Sequence, residues 1–182
     1  MGIVTVLPRD HAWTFDDLDA LPDDGLRYEL VDGMLLVSPA PTKTHQRCQA
    51  NLFRLIDRVV PEGFEIFLAP TDYRPTSSRS LQPDLLVVSR ADPGEAAVTT
   101  PLLLAVEVVS PSSRSVDLLL KRGLYEEAGV RHYWVVDPVE ESLTTWSLVD
   151  GRYGEARHAR GNEALGINEP FAINIIPVRL LD

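Results

Sequence analysis

The run "PLLLAVEVVSPSS", Pro101 to Ser113, is the most apolar stretch of the chain, and it carries one carboxylate, Glu107. Seven of the eight residues from Leu102 to Val109 are apolar, which reads as a strand buried on both faces. Side chains alternate along a strand, so Glu107 should share a face with Leu103, Ala105 and Val109. A buried, unpaired charge costs several kcal/mol. Three arrangements relieve it: a strand end that reaches solvent, a basic partner, or a bound cation. For Glu107 alone, an ion pair with an arginine is the plain structural explanation. Asp84 raises the same question. It opens an apolar strand in "LQPDLLVVS", directly after Pro83, although Asp is depleted in strands. Alone, it could be a strand-start or turn residue. If the two strands are neighbours, the carboxylates converge at one end of the sheet. Each then raises the pKa of the other, and a hard, oxygen-seeking cation such as Mg²⁺ relieves the repulsion. Together they point to a metal or acid site.

A third group follows Glu107. Asp117, Lys121 and Tyr125 lie at i, i+4 and i+8 and make one polar stripe on a helix. Lys121 could project toward the carboxyl end of the strand, where an ammonium would orient a water or offset charge on a phosphate. The ordinary alternative is a solvated Asp–Lys pair. That helix is expected from about Val116 to Ala128, with Val116, Leu119, Leu120, Leu124 and Ala128 as its apolar face and Gly129 just beyond its end.

These residues need a frame. "WTFDDLDALPDDG" predicts a short helix capped by Thr14. Two strand-like runs flank Asp32-Gly33, a two-residue hairpin signal. Cys48, Leu52, Leu55, Ile56 and Val59 recur at helical spacing between Thr44 and Val60. "FEIFLA" and "PDLLVVS" read as strands, and "TDYRPTSSRSLQ" as an exposed loop or irregular hairpin. "RHYWVVD" is a further buried strand, a hairpin surrounds Asp150-Gly151, and a last strand is expected near "FAINI". The order implies an α/β fold, a mixed central sheet flanked by helices. The strand–helix–strand unit from Leu102 to Asp137 should be parallel with a right-handed crossover. Residues 1–12 are expected to be a loose N-terminus and 13–182 one domain.

The 182 residues are 45% hydrophobic and 24% charged, an ordinary globular composition. One cysteine, Cys48, leaves no intrachain disulfide framework, which fits a reducing cytoplasm. The opening "MGIVTVLPRDH" lacks the pattern of a signal peptide. No apolar run approaches the ~20 residues of a membrane span, so a soluble protein with no membrane partner is expected. The net charge of −10 counts against a broadly basic nucleic-acid surface. Any phosphate contacts would be local, with Arg74, Arg79, Arg114, Lys121 and Arg122 as candidates. The ordinary alternative for these is solvated surface charge.

"PD", then 22 residues, then "EVV" resembles the PD-(D/E)xK nuclease signature. The flanking text is more specific. "TFDDLDALPDDGLRYELVDGMLLVSPAP", "TKTHQRCQANLFRLI", "LQPDLLVV" and "VEVVSPSSRSVDLLLKRGLYEEAGVRHYWVVDP" together resemble the Uma-type family of bacterial putative restriction endonucleases. The resemblance implies a restriction-endonuclease-like fold and metal-assisted phosphodiester hydrolysis of DNA. Asp84, Glu107 and the backbone carbonyl of Val108 would hold Mg²⁺ or Mn²⁺. The superfamily's lysine two positions after the Glu is Val109 here, a departure; the Uma-type pattern places it instead at Lys121 on the following helix. The acid of "YEL" corresponds to Glu29, as a further ligand or a water-positioning base. His45 and Tyr125 also fall on the pattern, with no role assigned, and a structural histidine is an equal reading of His45. A homodimer is expected by analogy and from the apolar segment "FAINIIPVRLL". Two other readings stand beside the nuclease: a catalytically silent nuclease-fold binding or interaction module, and a metal-dependent hydrolase of another phosphoester.

Overall fold

The computed structural model describes residues 5–7, 10–110, 114 and 116–182, the side chains of 116 and 117 excepted. Within the stretch expected to be loose, β1 (Thr5–Leu7) is a short, exposed strand. Helix α1 (Phe15–Asp19) starts at the expected cap, where Thr14 and Asp17 form a reciprocal capping box. β2 (Arg27–Val31) and β3 (Met34–Ser38) form the hairpin read from Asp32-Gly33. Both turn residues have positive φ, +48° and +85°, as a two-residue turn of this kind requires. A Cβ on Gly33 would also lie 2.8 Å from the Cβ of Ala12, so the position is doubly restricted. Helix α2 (Lys43–Ile56) buries Cys48, Leu52 and Ile56, while Thr42 accepts the His45 amide at its start. It ends at Ile56, four residues before the expected stop.

β4 (Phe64–Leu68), β5 (Tyr73–Thr76), β6 (Arg79–Leu81), β7 (Leu85–Ser89) and β8 (Leu104–Val108) follow. "TDYRPTSSRSLQ" is thus an irregular hairpin, β5–β6, with a register shift between Tyr73 and Thr76. The chain then passes through a wide helical turn, Val116–Lys121, into α3 (Arg122–Glu127) and β9 (His132–Asp137). β10 (Ser142–Val149), β11 (Arg152–Tyr153), β12 (Arg157–Arg160), β13 (Leu165–Ile167) and β14 (Ile173–Ile175) complete the strands.

The central sheet runs β11-β10-β9-β8-β7-β4, with β12 also paired to β10. Its β8–β9 pair is parallel, as the strand–helix–strand unit predicts, and its other pairs are antiparallel. One face packs against α2 and the C-terminal segment, where Leu85, Val87, Val106 and Trp134 meet Cys48, Leu52, Phe171 and Leu180. The opposite face, with Leu86, Ala105, Val109 and Tyr133, packs against α3 and a second sheet of order β1-β3-β2-β6-β5. Leu103 belongs to the first cluster rather than to the face of Glu107, because regular alternation begins only at Leu104.

Two expectations change. The 116–128 segment is not one α-helix. Its first part is a π-type turn, whose i→i+5 bonding shifts the phase of the helix. Leu119 and Leu120, expected in the apolar face, are exposed; Leu118 packs inward and Leu124 stays buried. The side chains of Val116 and Asp117 lie outside the described residues, so the polar stripe is seen only at Lys121 and Tyr125. Second, the apolar C-terminal segment lies on its own chain. Phe171, Ile175 and Leu180 are in the core, and Arg47 and Asn51 of α2 donate to the carbonyls of Leu181, Leu180 and Asp182. Its hydrophobicity is satisfied within the monomer and is no argument for a dimer.

Candidate active site

The register places the two carboxylates. Leu85 pairs with Val106 across β7–β8, which carries Asp84 opposite Glu107 at the end of the ladder. Directly opposed residues share a face. Both are buried, at 2% and 1% exposure. They lie at the seam between the two sheets, and the relief is ionic. Of the three arrangements open to Glu107, the structure has the basic partner: a lysine in hydrogen-bond contact, and the expected arginine as a longer ion pair, from Arg27 at 3.9 Å.

Glu107 Oε1 accepts from Lys121 Nζ at 3.0 Å and from the Tyr125 hydroxyl at 2.8 Å. Lys121 is itself buried, and its Nζ lies 2.9 Å from Glu29 Oε1. That Glu29 oxygen also accepts the Gln82 amide at 2.8 Å. Lys121 is therefore no solvated helix charge, and Glu29, brought in by β2, is its second counter-ion. Burial pushes the Tyr125 phenol well above its usual pKa, and Glu107 and Glu29 add to the shift. Tyr125 thus stays a neutral donor.

Asp84 is held from every side. Arg27 Nη2 lies 2.5 Å from Oδ1. Oδ2 accepts the Val108 amide at 2.7 Å and meets His45 Nε2 at 2.9 Å. Gln49, one turn along α2 from His45, donates to the Asp84 backbone carbonyl at 2.5 Å. Burial opposes ionisation of Asp84, but Arg27, His45 and the Val108 amide outweigh it and hold the carboxyl well below the usual range. Burial likewise opposes charge on Arg27, yet Asp84, Glu29 and Glu107 keep the guanidinium protonated above its usual pKa. Its Nη1 donates to the Gln82 carbonyl and lies 3.9 Å from Glu107 Oε2.

The six residues singled out from sequence (Glu29, His45, Asp84, Glu107, Lys121 and Tyr125) are thus brought into one network, with the Val108 amide on its edge. Sequence reasoning missed Arg27, Gln49 and Gln82. Two of these had a signal. Arg27 shares a strand face with Glu29 at i, i+2, and Gln49 follows His45 at i, i+4.

A cleft of about 490 Å³ opens on the front of the network. Arg27, His45, Gln49, Gln82 and Asp84 of the network line it, Asp19, Asp23 and Asp72 add further carboxylates, and Leu21, Pro22, Pro39, Pro41 and Pro70 are among its apolar walls. Lys121, Glu29 and Glu107 lie behind and do not line it. The candidate phosphate contacts are otherwise engaged. Arg74 pairs with Asp19 and Asp72, Arg79 with Asp32 and Glu127, and Arg114 with Asp137. Arg122 lies over the Trp146 ring. They are neither a free basic patch nor idle solvated charge; several tie elements together.

The sequence profile of the Uma2 family, described as "Putative restriction endonuclease", matches residues 15–179. The chain belongs to the Uma2 family. The Uma2 match spans both sheets except β1, and every residue of the network. No curated protein matches the chain. Among solved structures, it is similar to the crystal structure of a putative nuclease belonging to DUF820 from Anabaena variabilis ATCC 29413. The TM-score is 0.75 at 20% identity, over 93% of this chain and 97% of that one. The Uma2 chain and this structure share a fold at low identity.

Proposed function

We propose that the chain is a Mg²⁺- or Mn²⁺-dependent DNA endonuclease that hydrolyses phosphodiester bonds in a reducing cytoplasm. The observation that carries this reading is the opposition of Asp84 and Glu107 on one face of β7–β8, buried at the back of a cleft. Family membership and the fold shared with a putative nuclease support the same class.

The donor set fits a hard cation. Asp84 and Glu107 offer carboxylate oxygens, and Glu29 adds a third negative charge. Against Arg27 and Lys121 they leave one negative charge, setting the imidazole aside. Among the described residues, no three His, Cys, Asp or Glu side chains stand close enough to share one ion. Mg²⁺ commonly keeps several waters and takes only one or two carboxylates, and Asp84 and Glu107 would be those two. Val108 would add its carbonyl, because a residue's N–H and C=O point to the same side of a strand and its N–H faces Asp84. A bound ion would polarise the phosphate and supply a water nucleophile near neutral pH. Lys121 and Tyr125 fix Glu107 Oε1, and Oε2 lies 3.9 Å from Arg27 Nη1. Glu29 fixes Lys121 and so acts as a positioning residue rather than a ligand.

The closed ion-pair network favours a second reading, a nuclease fold kept as a silent binding module, because its charges are satisfied by protein alone. One assay separates the two. Plasmid, linear and single-stranded DNA are incubated with wild type and Glu107→Gln in Mg²⁺ or Mn²⁺. Metal-dependent cleavage lost in the variant is expected. Cleavage that persists unchanged removes the assigned site. Absence of both cleavage and metal binding in the wild type selects the silent module.

A further inference from the structure

We propose that Arg27 occupies the cation position of this site and exchanges with the divalent ion. The inference rests on the metal reading above and concerns which group must move. Glu107 Oε1 is committed to Lys121 and Tyr125, and Asp84 Oδ2 to His45 and Val108. The other two oxygens, Asp84 Oδ1 and Glu107 Oε2, both face the Arg27 guanidinium, at 2.5 and 3.9 Å. These are the oxygens a metal shared by Asp84 and Glu107 would take. Two cations cannot occupy that space together.

Arg27 has somewhere to go. It lines the cleft, whereas Lys121 and Glu107 do not, so its long side chain can turn outward without crossing the core. Exchange would also cancel the network's negative charge. The network is one unit negative with Arg27 inside. A divalent ion in its place makes it neutral, and the displaced Arg27 carries its own positive charge into the cleft, beside Asp19, Asp23 and Asp72. Phosphodiester binding would then follow metal binding, and the displaced guanidinium could form paired hydrogen bonds with a phosphate. An otherwise acidic chain would then repel a phosphate less at this site when the metal is present.

The test is calorimetry with MnCl₂ alone at pH 8 on the full chain, comparing wild type, Arg27→Met and Arg27→Lys. Arg27→Met removes the competitor and should bind about tenfold tighter or more, the ratio that corresponds to about 1.4 kcal/mol of lost competition. Arg27→Lys keeps a competing charge and should stay near wild type. A wild type that binds Mn²⁺ with no gain in Arg27→Met overturns the exchange and leaves the carboxylate site standing. No binding by either protein overturns both. A measurement on the wild type serves if Arg27→Met does not fold. The Arg27 guanidinium resonances of ¹⁵N-labelled protein should shift on saturation with Mg²⁺. Resonances that stay in place while Mg²⁺ binds refute the exchange.

Discussion

Lys121→Met removes the ammonium that holds two buried carboxylates, with contacts of 2.9 Å to Glu29 and 3.0 Å to Glu107. Breaking a buried pair by deleting one partner costs about 3–5 kcal/mol, because the abandoned charge stays desolvated. Here that cost depends on pH. One of the two carboxylates can take up a proton, so its folded pKa rises above the unfolded value of about 4.3. A raised acid pKa means that stability falls as pH rises from the unfolded pKa to the folded one. At about 1.36 kcal/mol per pH unit, a deficit of about 3–5 kcal/mol spans about two to four units. The variant should therefore be close to wild type near pH 4.5 and lose ground steadily above it. The loss should level off between about pH 6.5 and 8, at a Tm lowered by about 6–20 °C. Urea unfolding at half-unit pH steps measures the curve. Adding Glu29→Gln to Lys121→Met should recover part of the loss at pH 8, since the amide still accepts the Gln82 N–H without a charge. A deficit that is flat in pH, or below about 1 kcal/mol throughout, refutes a buried Glu29–Lys121–Glu107 bridge.

Two further outcomes follow from the same chemistry. The folded pKa of Asp84 is depressed, so its contribution to stability is complete above about pH 3.9 and is lost as pH falls through the folded value. Wild type should lose stability steeply below about pH 4. Asp84→Asn should be less stable at pH 7 and flatter below pH 4; a variant with the wild-type acid limb contradicts the assignment. The Cys48 thiol is pushed up to about 11 by burial. It should resist aromatic disulfide reagents at pH 8 in the folded protein and react at once in denaturant, while rapid labelling of the native state would place it elsewhere.

Much of the site was legible because its signals are local violations. A carboxylate inside "LLLAVEVV" and another opening "DLLVVS" conflict with strand burial, and the register then follows from the antiparallel pairing of the two runs. The hairpins at Asp32-Gly33 and Asp150-Gly151 were legible for a similar reason, since their positive φ values need residues that tolerate them. The illegible parts depend on distant partners. The sequence spacing of Val116, Leu119, Leu120 and Leu124 reads as 3.6-residue helix, and nothing in it marks the π-type turn from Val116 to Lys121 whose phase shift decides which leucine turns inward. Arg27 looked like any strand arginine until β2 was docked over Asp84, and the pairing of Arg74 with Asp19 joins residues 55 positions apart. The apolar C-terminus showed that something covers it, but not that the cover is its own α2.

The position of the network at the seam between two sheets has an evolutionary consequence. The same bonds that would prepare the site also fasten the layers: Glu29 reaches Lys121 from one sheet, and Arg27 reaches Asp84 in the other. A lineage in which the proposed cleavage was absent would still be held to these residues by purifying selection on folding alone. An intact Asp84–Glu107–Lys121 set is thus a record of architecture before it is a record of use. Relaxed constraint in inactive descendants would surface first among cleft-wall positions such as Pro39 and Pro41, which carry none of the interlayer ion pairs.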